Sequence, residues 1–285
     1  MSKLSETLAL DPVRALAYGV SGSGKTTAGA LAVAHEGFYP MYVFDWDLRI
    51  GSLRARLPKE YWDRVNSDPY RDIRTQGEAF AIMQAKVERL EMEGYKSVMI
   101  DSGTFCLLGI MARVLLLDGG KPATSTPQLQ NYMQQQSLFK DVVSRLCSKS
   151  LHVIMNCHED NQKDESSGRV FKAVDLTGKL ANAIPGYFNE MWHMEMVQAT
   201  GQEPQYKIRT RSDFTYAART SYRTLDTLES QGKIWEKIVK ERAEGLGLAG
   251  DPFVNKSAPG AIEVKHPLKL PAVPIVPFTI TDVRK

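Results

Sequence analysis

Gly19-Val20-Ser21-Gly22-Ser23-Gly24-Lys25-Thr26 fits the spacing G-x-x-x-x-G-K-S/T in full. Glycines at these intervals let backbone N–H groups turn inward around phosphate oxygens, and a helix beginning near Lys25 adds the positive end of its dipole. Lys25 is then placed to neutralise the β/γ-phosphates of a nucleoside triphosphate, and the Thr26 hydroxyl to coordinate Mg²⁺. The candidate cradle runs through Gly19, Ser21, Gly22, Ser23, Gly24, Lys25, Thr26 and Thr27. A glycine-rich turn with a chance lysine is the bland alternative. The context favours phosphate: an apolar run, Val13–Tyr18, precedes the loop, and a small-residue helical stretch of about Lys25–His35 follows it.

Three further polar groups close apolar runs. Asp101 ends Val98-Met99-Ile100 and reads as the carboxylate that holds Mg²⁺ through water, or else as a cap for the next helix, a role open also to Ser102 or Thr104. Asp45 and Asp47 follow Met41–Phe44. One of them, Asp47 by preference, is expected to orient or deprotonate an attacking water; the same carboxylates would receive a substrate hydroxyl in a kinase. Asn156 and His158 follow Leu151–Met155 and are candidates to contact the γ-phosphate and report its loss, although a lone histidine is more often structural. Cys157 lies between them without other Cys or His at ligand spacing, which argues against zinc. Farther on, Lys207, Arg209, Arg211, Arg219 and Arg223 form a basic stretch broken only by Asp213. It is a solvated strand edge, a source of an arginine finger for a neighbouring subunit's ATP, or a contact to DNA phosphates.

These groups need a scaffold that brings strand ends together. Apolar runs alternate with helical patterns: Gly77–Glu93, with Phe80, Met83, Val87 and Leu90 at helical spacing, then about Phe105–Leu117 and Pro127–Lys149. Strand and helix in alternation predict a mostly parallel central sheet flanked by helices, with function gathered at the C-terminal strand ends. Glu159–Asp175 is polar and reads as a loop, Leu176–Ile184 as a short helix. Glu190–Val197 and Gln205–Arg211 alternate around a turn and predict an antiparallel hairpin extension; Thr227–Glu244 suggests a surface helix. The expected organisation is an N-terminal arm (1–12), one ATPase domain (13–244) and an extended Pro/Gly-rich C-terminal tail (245–285) punctuated by Pro259, Pro267, Pro271, Pro274 and Pro277.

Composition narrows the class. Hydrophobic residues make up 43% and charged residues 24% of the 285 residues, which excludes a disordered chain or a coiled-coil rod. A net charge of +3 does not by itself point to nucleic acid. Cys106, Cys147 and Cys157 are an odd set without paired spacing, so a reducing cytoplasm is expected rather than a disulfide framework. The longest apolar stretch, Cys106–Leu117, is interrupted by Arg113 and is too short for a bilayer, and the N-terminus lacks a signal-peptide core; no membrane partner is expected.

In the stretches GVSGSGKTT, VFDWD, VMIDSGT, VIMNCHE and YKIRTRSDFTYAARTSYRTLD, the chain resembles the RecA-like P-loop ATPase core over about residues 13 to 230. More closely it resembles phage nucleotide-binding proteins of the single-strand annealing recombinase type. The resemblance implies a RecA-like fold, ATP and Mg²⁺ as cofactors, and a DNA-stimulated ATPase in the host cytoplasm. It implies a homo-oligomer with ATP at the subunit interface, acting on single-stranded DNA in annealing or strand exchange, with a single-strand-binding protein as a further partner. It casts Lys25, Asp47, Asp101, His158 and Arg219 as catalytic groups. Asp47 stands where glutamate is usual, and Arg219 with Ser221 where the phage family carries Lys-x-Arg. The loop Glu159–Asp175 takes the place of a mobile DNA-binding loop, with Lys163, Arg169, Phe171 and Lys172 as its contacts, and the break at Asp118–Thr126 matches a second such loop. The alternatives are a P-loop kinase using Asp45/Asp47 at the acceptor and a nucleotide-switch or motor ATPase that never binds DNA.

Overall fold

In the computed structural model, which describes residues 11–69, 77–163, 168–198 and 201–245, the apolar runs become the centre of one sheet. They are β1 (Arg14–Tyr18), β2 (Met41–Asp45), β4 (Ser97–Asp101) and β5 (His152–Cys157), and every residue of β2 and β4 is buried. Burial on both faces is why these strands read as continuous apolar runs rather than as alternating ones. The sheet order is β10-β9-β8-β1-β5-β4-β2-β3, with β3 (Val65–Pro69), β8 (Glu190–Val197), β9 (Gln205–Arg209) and β10 (Leu228–Ser230) completing it. From β3 through β8 the pairings are parallel; β8 with β9 and β9 with β10 are antiparallel. This is the α/β architecture expected from the sequence, including the antiparallel extension.

Helices cover both faces. α2 (Ala79–Arg89), α3 (Gly103–Leu117) and α4 (Leu129–Ser148) bury Phe80, Met83, Ile110, Val114, Phe139 and Val142 against Tyr42, Phe44, Val98, Ile100 and Met155. α1 (Lys25–Ala30) and α6 (Ile234–Gly245) bury Ala28, Ile234, Trp235 and Ile238 against Met41, Val43, Met99 and Ile154. Neighbouring strand residues thus alternate between two cores. One close approach fixes the site end of the first core. A Cβ on Gly109 of α3 would lie 2.2 Å from the ring of Trp46, the buried residue between Asp45 and Asp47. Any side chain at position 109 would collide with that ring.

The structure departs from the expectation in four places. The stretch Glu159–Asp175 is not an irregular loop: it holds an antiparallel ribbon, β6 (Glu159–Lys163) and β7 (Val170–Val174), paired from Glu159↔Val174 to Lys163↔Val170. The helix expected over Thr227–Glu244 begins only at Ile234, because Leu228–Ser230 closes the sheet edge as β10. The first helix ends at Ala30 and continues as a 3-10 turn, Leu31–Ala34. The short helix expected over Leu176–Ile184 spans only α5 (Leu180–Ala183), followed by a 3-10 turn, Ile184–Tyr187. The N-terminal arm up to residue 10 and the tail beyond residue 245 lie outside the described residues. Among the described residues, no helix is long and apolar enough to cross a membrane.

Candidate active site

The phosphate loop joins β1 to α1 and is buttressed from the far edge of the sheet. Gly24 adopts φ 90° at the N-cap of α1. A Cβ there would lie 2.8 Å from the Gln231 amide and 2.9 Å from the Tyr206 ring. Gln231 donates to the Gly24 carbonyl at 2.6 Å, so β10's exit holds the loop's backbone in place. At Gly19 a Cβ would fall 2.6 Å from the Met194 carbonyl oxygen of β8. Inside the loop, the Lys25 ammonium donates to the carbonyls of Gly19 and Val20 at 2.7 and 2.8 Å. Burial pulls its pKa down, and the nearby Asp101 and Asp47 carboxylates oppose that shift. The Ser23 hydroxyl is fully buried without a hydrogen-bond partner among the described residues.

Strand ends bring the carboxylates to this loop. The Thr26 hydroxyl donates to Asp101 Oδ2 at 2.6 Å, and the Asn156 amide donates to Asp101 Oδ1 at 3.0 Å. Asp101 is fully buried; burial pushes its pKa up to about 6, against the pull of those two hydrogen bonds, and the Asp47 and Asp45 charges push the same way as burial. Asp47 Oδ1 accepts from the Ser102 amide at 3.0 Å and its hydroxyl at 2.6 Å, while Oδ2 lies 3.6 Å from His158 Nε2. Burial works to raise the Asp47 pKa, but His158 and Ser102 outweigh it and hold this carboxyl below its ordinary value. Asp47, Asp101, His158, Lys25, Thr26, Thr27, Ser21, Gly22 and Gly24 line one cleft of about 200 Å³.

Two sequence expectations change role here. Asn156 is wholly buried behind Asp101 and fixes that carboxylate rather than facing the cleft, because it lies inside β5 and not beyond its end. Asp45 is also buried, and its carboxylate accepts from the backbone amides of Arg49 at 3.0 Å and Ile50 at 3.3 Å. It organises the turn after β2. Two groups that sequence reasoning passed over as contributors also line the cleft: Arg49, whose guanidinium donates to Ser21 Oγ at 2.9 Å, and Arg56. The second lies over the Tyr206 ring at 4.1 Å and donates to its hydroxyl at 2.5 Å. The signal was present for Arg49, in its place two residues after Asp47.

The expected arginine finger and DNA contacts lie elsewhere. Arg219 donates to the carbonyls of Pro185 and Phe188, the latter at 2.6 Å, and does not line this chain's phosphate-loop cleft. The second, larger cleft, about 630 Å³, lies between the β6–β7 ribbon and residues 212–217. Lys163, Arg169, Phe171 and Tyr216 line it, and Phe214 beside it is 84% exposed. Arg169 donates to the carbonyls of Asp213 (3.1 Å) and Phe214, with its guanidinium 5.4 Å from the Phe214 ring. Lys172 instead forms an ion pair with Glu159 at 2.8 Å.

The donor set suits a nucleotide with a hard divalent cation: a hydroxyl and a carboxylate touching at the head of α1, a buried ammonium, and, among the described residues, an unpartnered serine hydroxyl in the glycine-rich loop. Thr26 and Asp101 are the residues that would hold Mg²⁺, whose chemistry is charge neutralisation on the phosphate oxygens. A loop of this kind between a parallel strand and a helix, faced by strand-end carboxylates, defines a P-loop ATPase. The chain belongs to the AAA domain family, whose model matches residues 11–222. Among solved structures it is similar, at 11% identity, to the flagellar accessory protein FlaH from Methanocaldococcus jannaschii, covering 69% of this chain and 76% of that one with a TM-score of 0.39. It is similar, again at 11% identity, to the RadB recombinase, covering 78% and 90% with a TM-score of 0.40. No curated protein matches.

Proposed function

We propose that this ATPase couples hydrolysis to single-stranded DNA held against the β6–β7 ribbon. One observation carries the reading: His158 and Glu159 are consecutive, yet His158 lines the phosphate-loop cleft and Glu159 is the first residue of the ribbon. His158 faces Asp47 at the phosphate loop, while Glu159 opens β6 and binds Lys172 of β7 and His193 of β8, each within 2.9 Å. A change at the terminal phosphate that moves His158 is thereby transmitted through one peptide to the foot of the ribbon. On the ATP side, Lys25 stabilises charge on the β/γ-phosphates, and the ionised Asp47, aimed by Ser102 and His158, positions water for attack. On the DNA side, Lys163 and Arg169 meet backbone phosphate, while Phe171, Phe214 and Tyr216 offer faces to unpaired bases. Lys172 is left out of this set because Glu159 already neutralises it. The resemblance noted from sequence extends the proposal to annealing or strand exchange.

The test is ATP turnover with and without single-stranded DNA, with Lys25→Ala as the blank. Turnover should rise with DNA, and replacing Arg169 and Phe171 together by alanine should weaken the DNA dependence about tenfold or more, as loss of a stacked base and a phosphate contact requires. Turnover indifferent to DNA would leave an ATPase switch or motor. ADP release that depends on a small acceptor would make the protein a phosphotransferase.

A further inference from the structure

We propose that Arg49 is the arginine that meets the terminal phosphate of ATP, supplied in cis by the turn after β2. This rests on the ATPase reading above and adds to it a group that the loop-and-carboxylate description lacks. A hydrolysing site gains from a cation that answers the charge developing on the transferred phosphoryl group, and the usual source is an arginine. The basic stretch at 207–223 does not provide one within this chain's cleft. Arg209 is paired with Glu195 at 2.6 Å and Asp213 at 2.9 Å, and none of Arg209, Arg211, Arg219 and Arg223 lines the phosphate-loop cleft.

Arg49 differs on each count. Its guanidinium already reaches the phosphate loop, at Ser21 Oγ, and it lines the same cleft as Lys25, Asp47 and Asp101. Among the described residues no carboxylate pairs with its side chain; its one side-chain partner is a neutral hydroxyl. A guanidinium carries five N–H donors in a planar fork suited to phosphate, so exchanging a serine hydroxyl for phosphate oxygens replaces a weak bond with charge-assisted ones. Its backbone is fixed before any ligand arrives. The buried Asp45 carboxylate takes the Arg49 and Ile50 amides, and Leu48 turns the chain with φ 59°. The motif Asp45-x-Asp47-x-Arg49 thus divides its work: Asp45 shapes the turn, Asp47 faces His158 and Ser102, and Arg49 crosses to the loop. Arg56, by contrast, is held by Tyr206, whose ring also packs at Gly24.

Three measurements test this on the full chain. In calorimetry, ADP with aluminium fluoride, a mimic of the transferring phosphoryl group, should bind wild type more tightly than ADP alone. Arg49→Ala should lose at least about tenfold of that gain while ADP affinity stays within about twofold, because only the terminal group meets the arginine. Steady-state kcat should fall roughly 100-fold or more in Arg49→Ala, with Arg49→Lys recovering part of it. Mixing Arg49→Ala chains with Lys25→Ala chains, which keep Arg49 but cannot turn over, should restore nothing. Recovery of turnover in the mixture would show an arginine acting between subunits and overturn the proposal. Equal loss of ADP and ADP–fluoride binding would also overturn it, since that is the mark of a staple for the loop. Wild type that binds ATP without hydrolysing it would instead remove the ATPase reading beneath it.

Discussion

The two clefts treat charge in opposite ways. In the smaller one, cations rest on neutral acceptors and carboxylates on hydroxyl and amide donors: Lys25 on carbonyls, Arg49 on a hydroxyl, Asp101 on a threonine and an asparagine, Asp47 on Ser102 and near His158. Beside the larger one, cation meets carboxylate directly, in Lys172–Glu159, Arg209–Glu195 and Arg209–Asp213, with His193 joining Glu159 and Glu195. Charges kept apart in a cleft remain available to an anionic ligand and its counter-cation. Charges already paired instead fasten one element to another, and the cations that line this cleft are Lys163 and Arg169, the latter donating to the Asp213 and Phe214 carbonyls, beside aromatic faces. The phosphate site is therefore built to bind charge, and the ribbon's foot to hold shape.

The largest expected effect tests the first half of that contrast. Asp47→Asn keeps the volume and the contacts with Ser102 but removes the charge. The kcat should fall by roughly 10² to 10⁴, the usual worth of a positioned base, with ATP affinity nearly unchanged. Because His158 and Ser102 hold the Asp47 pKa below its ordinary value of 3.8, the ionised form persists into acid. The wild-type rate should lose nothing to Asp47 protonation until pH drops below about 4, and this acid limb should be absent in the variant. Protonation of Asp101, whose pKa burial lifts to about 6, can lower the rate between pH 6 and 5 in both proteins, so the limb below about pH 4 decides: one that persists in Asp47→Asn would assign the base to a different group.

How far each region was legible follows from where its information lies. The phosphate loop is local in sequence, since glycine spacing, lysine and hydroxyl all fall within eight residues. The central strands were legible because burial on both faces leaves an apolar run. The ribbon was not: Glu159-Asp160-Asn161-Gln162-Lys163 has no apolar face, and its pairing with β7 is carried by backbone bonds that any polar sequence can make. β3 and β10 are short edges of the sheet and gave no run to read. Arg219 shows the limit for single side chains. An exposed arginine in a basic stretch reads as free, and only the fold reveals the carbonyls of residues 185 and 188 waiting for it. Arg49 is the reverse case, a residue whose direction is set by the hydrogen bonds of Asp45.

A smaller effect probes the ribbon's foot. Glu159 lies between Lys172 at 2.8 Å and His193 at 2.9 Å. Burial works to raise its pKa, but those two partners prevail and hold it below the ordinary 4.5. A carboxyl depressed in the folded state binds fewer protons there than when unfolded. Its contribution is complete above the ordinary carboxylate range and vanishes as pH falls through the lowered value. Solvent screening limits that contribution to about 1 kcal/mol or less. In thermal melts at neutral pH, Glu159→Gln should be the less stable protein. The gap should close toward pH 3 as the wild type loses the same charge, whereas parallel curves across that range would mean that Glu159 does not anchor the ribbon by its charge.

The smallest expected effect separates two cations only three residues apart. Arg169 and Lys172 stand on the same strand region and look equivalent in sequence, yet Lys172 points its ammonium at the Glu159 carboxylate while Arg169, in the cleft beside the Phe171 and Phe214 rings, donates to the neutral carbonyls of Asp213 and Phe214. If the ribbon presents single-stranded DNA, Arg169→Ala should lower affinity and reduce the slope of log K against log salt by about 0.7, the counterion share of one phosphate contact on a single strand. Lys172→Ala should leave that slope unchanged and alter affinity within about twofold, since its charge is already answered inside the protein. Equal slopes for the two variants would mean that Glu159 releases Lys172 to DNA, and the division between charge that binds and charge that fastens would then fail at the foot of the ribbon.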